Sequence, residues 1–343
     1  MNTFGTIFKV SIFGESHGEE IGVVIDGVEP GIELSINDFA EDISRRRSGA
    51  KGTTPRIEAD EPRILSGVYE GCTTGAPLTI VFTNTNTRSE DYARLKDIPR
   101  PGHADFTANV KYGGFQDPRG GGHFSGRLTL PVVAAGVVAK TILAETVSEE
   151  THGHVRFRCE ARLTEIGGIS DPARWDAALE AAKKEGDSLG GIVECTVDGL
   201  PAGLGEPFWD SVESCLSHAL FAIPGVRGVE FGDGFAAARM KGSAHNDCFS
   251  PEGTEGREGL VTPVTNHAGG INGGITNGNP LVFRVAFKPT SSIAKPQRTY
   301  DFAAQEMTDF QVPGRHDTCF AIRTPVIVEA MAAIVLADLI DRG

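Results

Sequence analysis

Two segments of this chain leave little freedom in how it can fold. Residues 131–145, PVVAAGVVAKTILAE, and 325–341, PVIVEAMAAIVLADLID, each read as a helix opened by proline in its first turn. Neither has a wide polar face. A helix that is apolar nearly all round has to be covered on most sides, so both are expected between sheets and not as the coat of one. No apolar run reaches the roughly 18 residues that a bilayer span requires, and the opening MNTFGTIFKV has no basic region followed by an apolar core. The expectation is a folded, cytoplasmic protein.

The remaining pattern supplies the sheets. Residues 6–13, 20–28, 77–85 (PLTIVFTNT), 191–198 and 280–287 read as strands. DFAEDISRR, behind the capping candidates Ser35 and Asn37, reads as a short helix. Residues 173–186 read as an exposed amphipathic helix and 207–221 as another. The two halves also repeat. Gly71–Ser89 and Gly274–Ser292 match at seven of nineteen positions without gaps. DGVEPG at 26–31 has a counterpart in DGLPAG at 198–203, PGHAD at 101–105 in PGRHD at 313–317, and PVVAAGVVAK in PVIVEAMAAI. The order is the same in both, with a period far too long for a solenoid. The expectation is an internal duplication, 22–140 and 191–335, folded as one unit of two β/α halves with pseudo-twofold symmetry.

The chemistry-bearing residues cluster around glycine. Gly14-Glu15-Ser16-His17-Gly18 fits G-x-S-x-G, but a nucleophile elbow needs a helix next, and EEIGVVIDGV is a β pattern. What remains is a histidine in a turn at a strand end, with an ordinary pKa near 6.5 that suits proton transfer. His103 has a similar setting in Arg100-Pro101-Gly102-His103-Ala104-Asp105. Gly120-Gly121-Gly122 opens GGGHFSGR, where backbone N–H groups can approach a ligand; neither a P-loop nor a dinucleotide fingerprint is present. NHAGGINGG at 266–274 is a second glycine-rich loop. Lys288-Pro289-Thr290-Ser291-Ser292 offers a cation and three hydroxyls to a phosphate.

Charge narrows the ligand. The net charge is −14, which argues against nucleic acid. Against that background Arg45, Arg46, Arg47, Lys51 and Arg56 fall in an acid-free stretch of twelve residues. They are read as a local trap for a small polyanion. Arg315-His316-Asp317 sets cation, imidazole and carboxylate side by side. The six cysteines form no CxxC pair and read as free thiols of a reducing compartment. His152 and His154 form an H-x-H with no evident third metal ligand.

Taken together, GESHG at 14–18, SGRLTLPVVAAGVVAK at 125–140 and RHDTCFAIRTPVIVEAMAAIVLAD at 315–338 resemble the chorismate synthase family over nearly the whole length. RPGHAD at 100–105, GGINGGITNG at 269–278 and KPTSS at 288–292 add to the match. The resemblance implies an α+β fold, a single-domain β-α-β sandwich with helices between antiparallel sheets, assembled as a homotetramer. It implies conversion of 5-enolpyruvylshikimate 3-phosphate to chorismate by 1,4-anti elimination of phosphate, with reduced FMN and no net redox change. The flavin would be reduced by NADPH on the same protein or by a separate reductase.

By the same resemblance, His17 serves the departing phosphate, His103 protonates the reduced flavin, and Asp317 assists proton removal through flavin N5. Ser16 and Ser125 support them. Arg46, Arg47, Arg100, Arg127 and Arg315 hold the anionic substrate. FMN would lie on His123, Phe124, Ser125, Pro224, Gly225, Gly273, Arg315 and Lys288, Pro289, Thr290, Ser291 and Ser292. The commoner family pattern GGGRSSARET is GGGHFSGRLT here, so His123 takes the place of an arginine, and Thr318 follows RHD where proline is usual.

Overall fold

The structure, a computed structural model of the chain, describes residues 2–54, 58–85, 95–250, 262–312, 314 and 316–342. Arg56 and Arg315 lie outside them, as does Ser89 at the end of the first repeated stretch.

Strands with alternating burial make two antiparallel sheets. The first contains β1 (Thr3–Phe4), β2 (Lys9–Gly14), β3 (Glu20–Asp26) and β4 (Arg63–Ser66). After a hairpin of β5 (Val68–Tyr69) and β6 (Cys72–Thr73) comes β7 (Leu78–Thr83), and the order is β1-β2-β3-β7-β4. The second contains β8 (Arg158–Ile166), β9 (Gly191–Asp198) and β10 (Val226–Phe231). The pair β11 (Phe249–Ser250) and β12 (Thr262–Pro263) and the hairpin β13 (Ile271–Asn272) and β14 (Ile275–Thr276) precede β15 (Leu281–Phe287). Its order is β10-β15-β9-β8. The hairpin β16 (Gln297–Asp301) and β17 (Glu306–Phe310) stands apart from both sheets. In β9, Val193, Cys195 and Val197 are buried; in β15 Leu281, Phe283, Val285 and Phe287 are. That period of two is the mark of a strand with one face on a core.

Helices α1 (Ala40–Arg46), α2 (Asp105–Tyr112), α3 (Thr129–Glu150), α4 (Trp175–Glu185), α5 (Val212–Leu220), α6 (Gly242–His245) and α7 (Pro325–Ile340) complete the chain. α3 packs on β3 and β7, α7 packs on β8 and β9, and the two helices pack on each other. The layers are therefore sheet, helices, sheet. One expectation is corrected here. With the turn before it, α3 runs Gly126–Glu149, 24 residues long and apolar enough to cross a membrane by length and composition. Its apolar window is 72% buried inside the protein, so that character is spent against the first sheet and α7.

The two core helices meet at Gly136, where an added Cβ would lie 2.5 Å from Ala330 Cα. Gly136→Leu is therefore expected to destabilise the protein by about 3 kcal/mol. Better helix propensity returns about 1 kcal/mol, but overpacking a closed crossing costs more. A lowered urea midpoint at unchanged slope would report this; an unchanged midpoint would mean the crossing can open.

Other differences have local causes. The helix expected over 207–221 begins at Val212, because Ser211 caps it: its Oγ accepts from the Ser214 N–H at 3.1 Å. Residues 15–18 join β2 to β3, paired Gly14 to Ile21, so no helix follows Ser16 and no elbow forms. The two repeated stretches carry the same local bonds. Thr73 Oγ1 accepts from Ile32 N–H and donates to Glu29 carbonyl; Thr276 Oγ1 accepts from Leu204 N–H and donates to Pro201 carbonyl.

Candidate active site

The sandwich opens on a cavity of about 1150 Å³, larger than the roughly 300–1,000 Å³ usual for one small ligand. Its wall comes from both halves of the chain. Seven basic side chains line it, Arg46, Arg47, Arg100, Arg127, Arg227, Lys288 and Arg323, against the carboxylates Glu58, Asp60 and Asp317. An acidic protein thus keeps a cationic interior where an anion would bind.

Local backbone geometry builds the histidine wall. β2 ends at Gly14, whose φ of +97° suits glycine, and the next turn is closed by a Gly18 N–H bond to Glu15 carbonyl. Asn84 Nδ2 donates to the carbonyls of Glu15 and Gly18 at 3.1 and 2.9 Å. Ser16 N–H donates to Gly122 carbonyl, tying this turn to the glycine loop. Gly120, Gly121 and Gly122 all have positive φ. A Cβ on Gly120 would overlap the His17 ring; one on Gly121 would lie 3.2 Å from His103 Cε1. Consecutive glycines therefore each seat a histidine. Ser16 lines the cavity, whereas His17, only 7% exposed, lies just behind Gly120.

His103 is held from the other side. Its Nδ1 is 2.8 Å from Asp105 Oδ1, and the Arg100 guanidinium chelates the same carboxylate through Nε and Nη2, each at 2.7 Å. Burial alone would raise the Asp105 pKa, but the hydrogen bonds from Arg100 and His103 outweigh it and hold the carboxyl well below its usual range. Arg100 Nη2 also lies 3.0 Å from His103 Nδ1, so carboxylate and guanidinium share that nitrogen while Nε2 faces Gly121. Arg100 Nη1 also donates to Ser292 Oγ at 3.1 Å, linking this group to the 288–292 segment.

The arginines are anchored by carboxylates at sequence distances no motif displays. Arg46, 3% exposed, pairs with Asp60 and donates Nε to Thr129 Oγ1. Burial, then the nearby Arg323, push its pKa down to about 9, a cation in need of more negative charge. Arg127 pairs with Asp60 and Glu58 and donates Nε to Asn84 Oδ1. Asp317 accepts from the Thr54 N–H and from Arg323 Nη2, both at 2.7 Å. Ser125 caps the next turn by accepting from Arg127 N–H. His123 donates Nδ1 to Gly14 carbonyl at 2.8 Å, so it braces the end of β2 while lining the cavity beside Phe124. Pro224, Gly225, Lys288, Pro289, Thr290, Ser291 and Ser292 also line the cavity, and Lys288 Nζ and Ser291 Oγ both donate to Gly102 carbonyl beside His103.

The polyanion trap needs correction. Of its four described cations, Arg46 and Arg47 line the cavity, and Arg56 lies outside the described residues. Arg45 turns the other way to Glu329, and Lys51 pairs with Asp176 and Glu180 on the surface. Gly273 turns the β13–β14 hairpin, whose Gly274 carbonyl accepts from Val212 N–H, and is not among the residues lining the cavity. Arg315 lies outside the described residues. Asn84, His218, Arg227 and Arg323 are site residues that pattern reading passed over; single polar residues on strands and helices carry no motif.

Comparison with known proteins accords with this geometry. A family model described as chorismate synthase matches residues 8–340. The chorismate synthase of Chitinophaga pinensis is 57% identical over 338 residues, covering 98% of this chain and 96% of its own. That of Dehalococcoides mccartyi is 44% identical, covering 100% and 97%. A crystal structure of chorismate synthase superposes with a TM-score of 0.71 at 25% identity, covering 99% of this chain and 93% of that one. The chain belongs to the chorismate synthase family and is a lyase of that type.

Proposed function

We propose that the chain eliminates phosphate in a 1,4-anti sense from 5-enolpyruvylshikimate 3-phosphate, giving chorismate, with reduced FMN bound in the same cavity. The observation that carries this reading is the seating of His17 and His103 beneath consecutive glycines of a cationic cavity large enough for two ligands.

The residues suit both ligands. The substrate brings one phosphate and two carboxylates, and Arg46, Arg47, Arg100 and Arg127 supply guanidinium groups for them. Arg315 is assigned to the same task by its motif. Lys288, Ser291 and Ser292 suit the flavin phosphate, and the buried hydroxyl of Thr290 has no hydrogen-bond partner among the described residues. Pro224, Gly225, His123 and Phe124 suit the ring system. When bound, reduced FMN supplies electron density to the elimination without net oxidation. His17 gives its proton to the departing phosphate, with Ser16 beside it. His103 holds a proton at Nε2, kept in orientation by Asp105 at Nδ1. Asp317, fixed by Thr54 and Arg323, assists proton removal, and Ser125 holds Arg127 in place.

Family membership supports a homotetramer in the cytoplasm, with the flavin reduced by NADPH on this protein or by a separate reductase. The test is an anaerobic assay with photoreduced FMN, following chorismate absorbance and phosphate release. Product with reduced FMN and none with oxidised FMN is expected; no product with either overturns the reading. NADPH replacing light separates the two reductants.

A further inference from the structure

Four arginines of the cavity wall are already held by carboxylates: Arg46 and Arg127 by Asp60, Arg100 by Asp105, Arg323 by Asp317. Arg227 is not. Among the described residues it forms no ion pair, and its side chain makes only a long bond, 3.4 Å, to the carbonyl of Val226. The backbone explains why it is there. β10 pairs with β15 at Val226 to Phe287 and then at Gly228 to Ala286, so Arg227 is the extra residue of a β-bulge. A bulge breaks the alternation of a strand and re-aims a side chain. This one brings Arg227 to the cavity wall near Lys288, the residue after Phe287.

Lys288 likewise has no carboxylate partner among the described residues. Its Nζ donates to Gly102 carbonyl at 3.1 Å and to Ser291 Oγ. Burial, and next the charge of Arg227, lower its pKa. Two cations that sense each other with only neutral oxygens around them are favoured when an anion of matching charge joins them. The buried, unpartnered Thr290 hydroxyl is a third donor on the same wall.

We propose that Arg227 and Lys288 together seat a phosphate monoester dianion, and that Arg227 is the residue that makes the site prefer a phosphorylated ligand. Resting on the flavin reading above, the favoured source is the 5′-phosphate of FMN; the phosphate of the substrate is the other source of the same chemistry. Flavin fluorescence titrations with FMN and with riboflavin test this, together with calorimetry of the enolpyruvyl substrate. Arg227→Ala is expected to weaken FMN about 10–100-fold, the range for a bond to a charged group, and to leave riboflavin unchanged. Arg227→Lys should restore part of the loss, since it keeps the charge without the fork. Unchanged riboflavin binding also shows that the fold is intact. A loss confined to the enolpyruvyl substrate would keep the dianion seat and assign it to that ligand. Arg227→Ala that leaves the FMN preference and substrate affinity intact overturns the role of Arg227 alone. A wild-type chain that binds FMN no better than riboflavin removes the flavin phosphate from this cavity, and the flavin reading with it.

Discussion

Gly120→Ala is expected to slow phosphate release by at least ~10²-fold, as is His17→Ala, because general-acid catalysis contributes in that range. The glycine has φ of +59°, and an added Cβ would overlap His17 Cε1 and Nδ1 and lie 2.8 Å from Ser16 Oγ. The ring must leave its seat or the loop must move. Gly121→Ala is the informative neighbour. Its Cβ would stand 3.2 Å from His103 Cε1 and 3.5 Å from Arg100 Nη2, contacts that a shift of tenths of an ångström relieves, so a smaller loss is expected. Single-turnover rates with reduced flavin, beside thermal melts to show that each variant is folded, provide the check. A Gly120→Ala protein that turns over at the wild-type rate would remove His17 from the chemistry.

The second large effect is on stability. Glu329, 1% exposed in the middle of α7, accepts from Arg45 at 2.6 Å, Lys140 at 2.9 Å and the Ala161 N–H at 2.8 Å. Asp42 completes the group, so two carboxylates face two cations across α1, α3 and α7. Glu329→Ala leaves two part-exposed cations facing one carboxylate, and an orphaned strand N–H; with solvent able to reach both cations, the expected cost is about 2–3 kcal/mol, below the range for a fully buried pair. Glu329→Gln keeps an acceptor for Ala161 and should cost less. Urea unfolding measures both, and a change for Glu329→Ala within experimental error would mean the cluster rearranges around water. Burial would lower the Lys140 pKa, but Glu329 and Asp42 outweigh it and raise it. Its stabilising contribution is therefore complete below the ordinary value of 10.5 and lost as pH climbs through the folded one. This cluster also holds α1 in place, and α1 delivers Arg46 to the cavity.

How far such features could be read in advance depends on where their partners lie. The core helices, β9 and β15 are written in local apolar patterns and fall where those patterns put them. β8 does not announce itself: RCEARLTEI puts the small side chains Cys159 and Ala161 on its covered face and charges on the other, which reads as a polar segment. The histidine turns and the glycine loop were legible because glycine is needed at positive φ. The direction of each arginine was not. Arg45 and Arg46 are adjacent in a helix, yet one turns to Glu329, 284 residues away, and the other to Asp60. Sign and spacing say that cations are present; only long-range carboxylates decide which of them remain for a ligand. Arg227 needed more still, since nothing in VRGVEF marks a bulge.

The mutual burial of α3 and α7 carries one more consequence. Each helix is apolar over most of its circumference, so each half of the chain, taken alone, would expose on its helix the surface that the other half covers. Separated near residue 155, the two pieces would be sticky partners and not independent proteins. The cavity would exist in neither, because His17, His103 and Arg127 come from one piece and Lys288 and Asp317 from the other. In physical terms the two halves are obligate partners, and the cavity belongs to their contact and to neither half by itself.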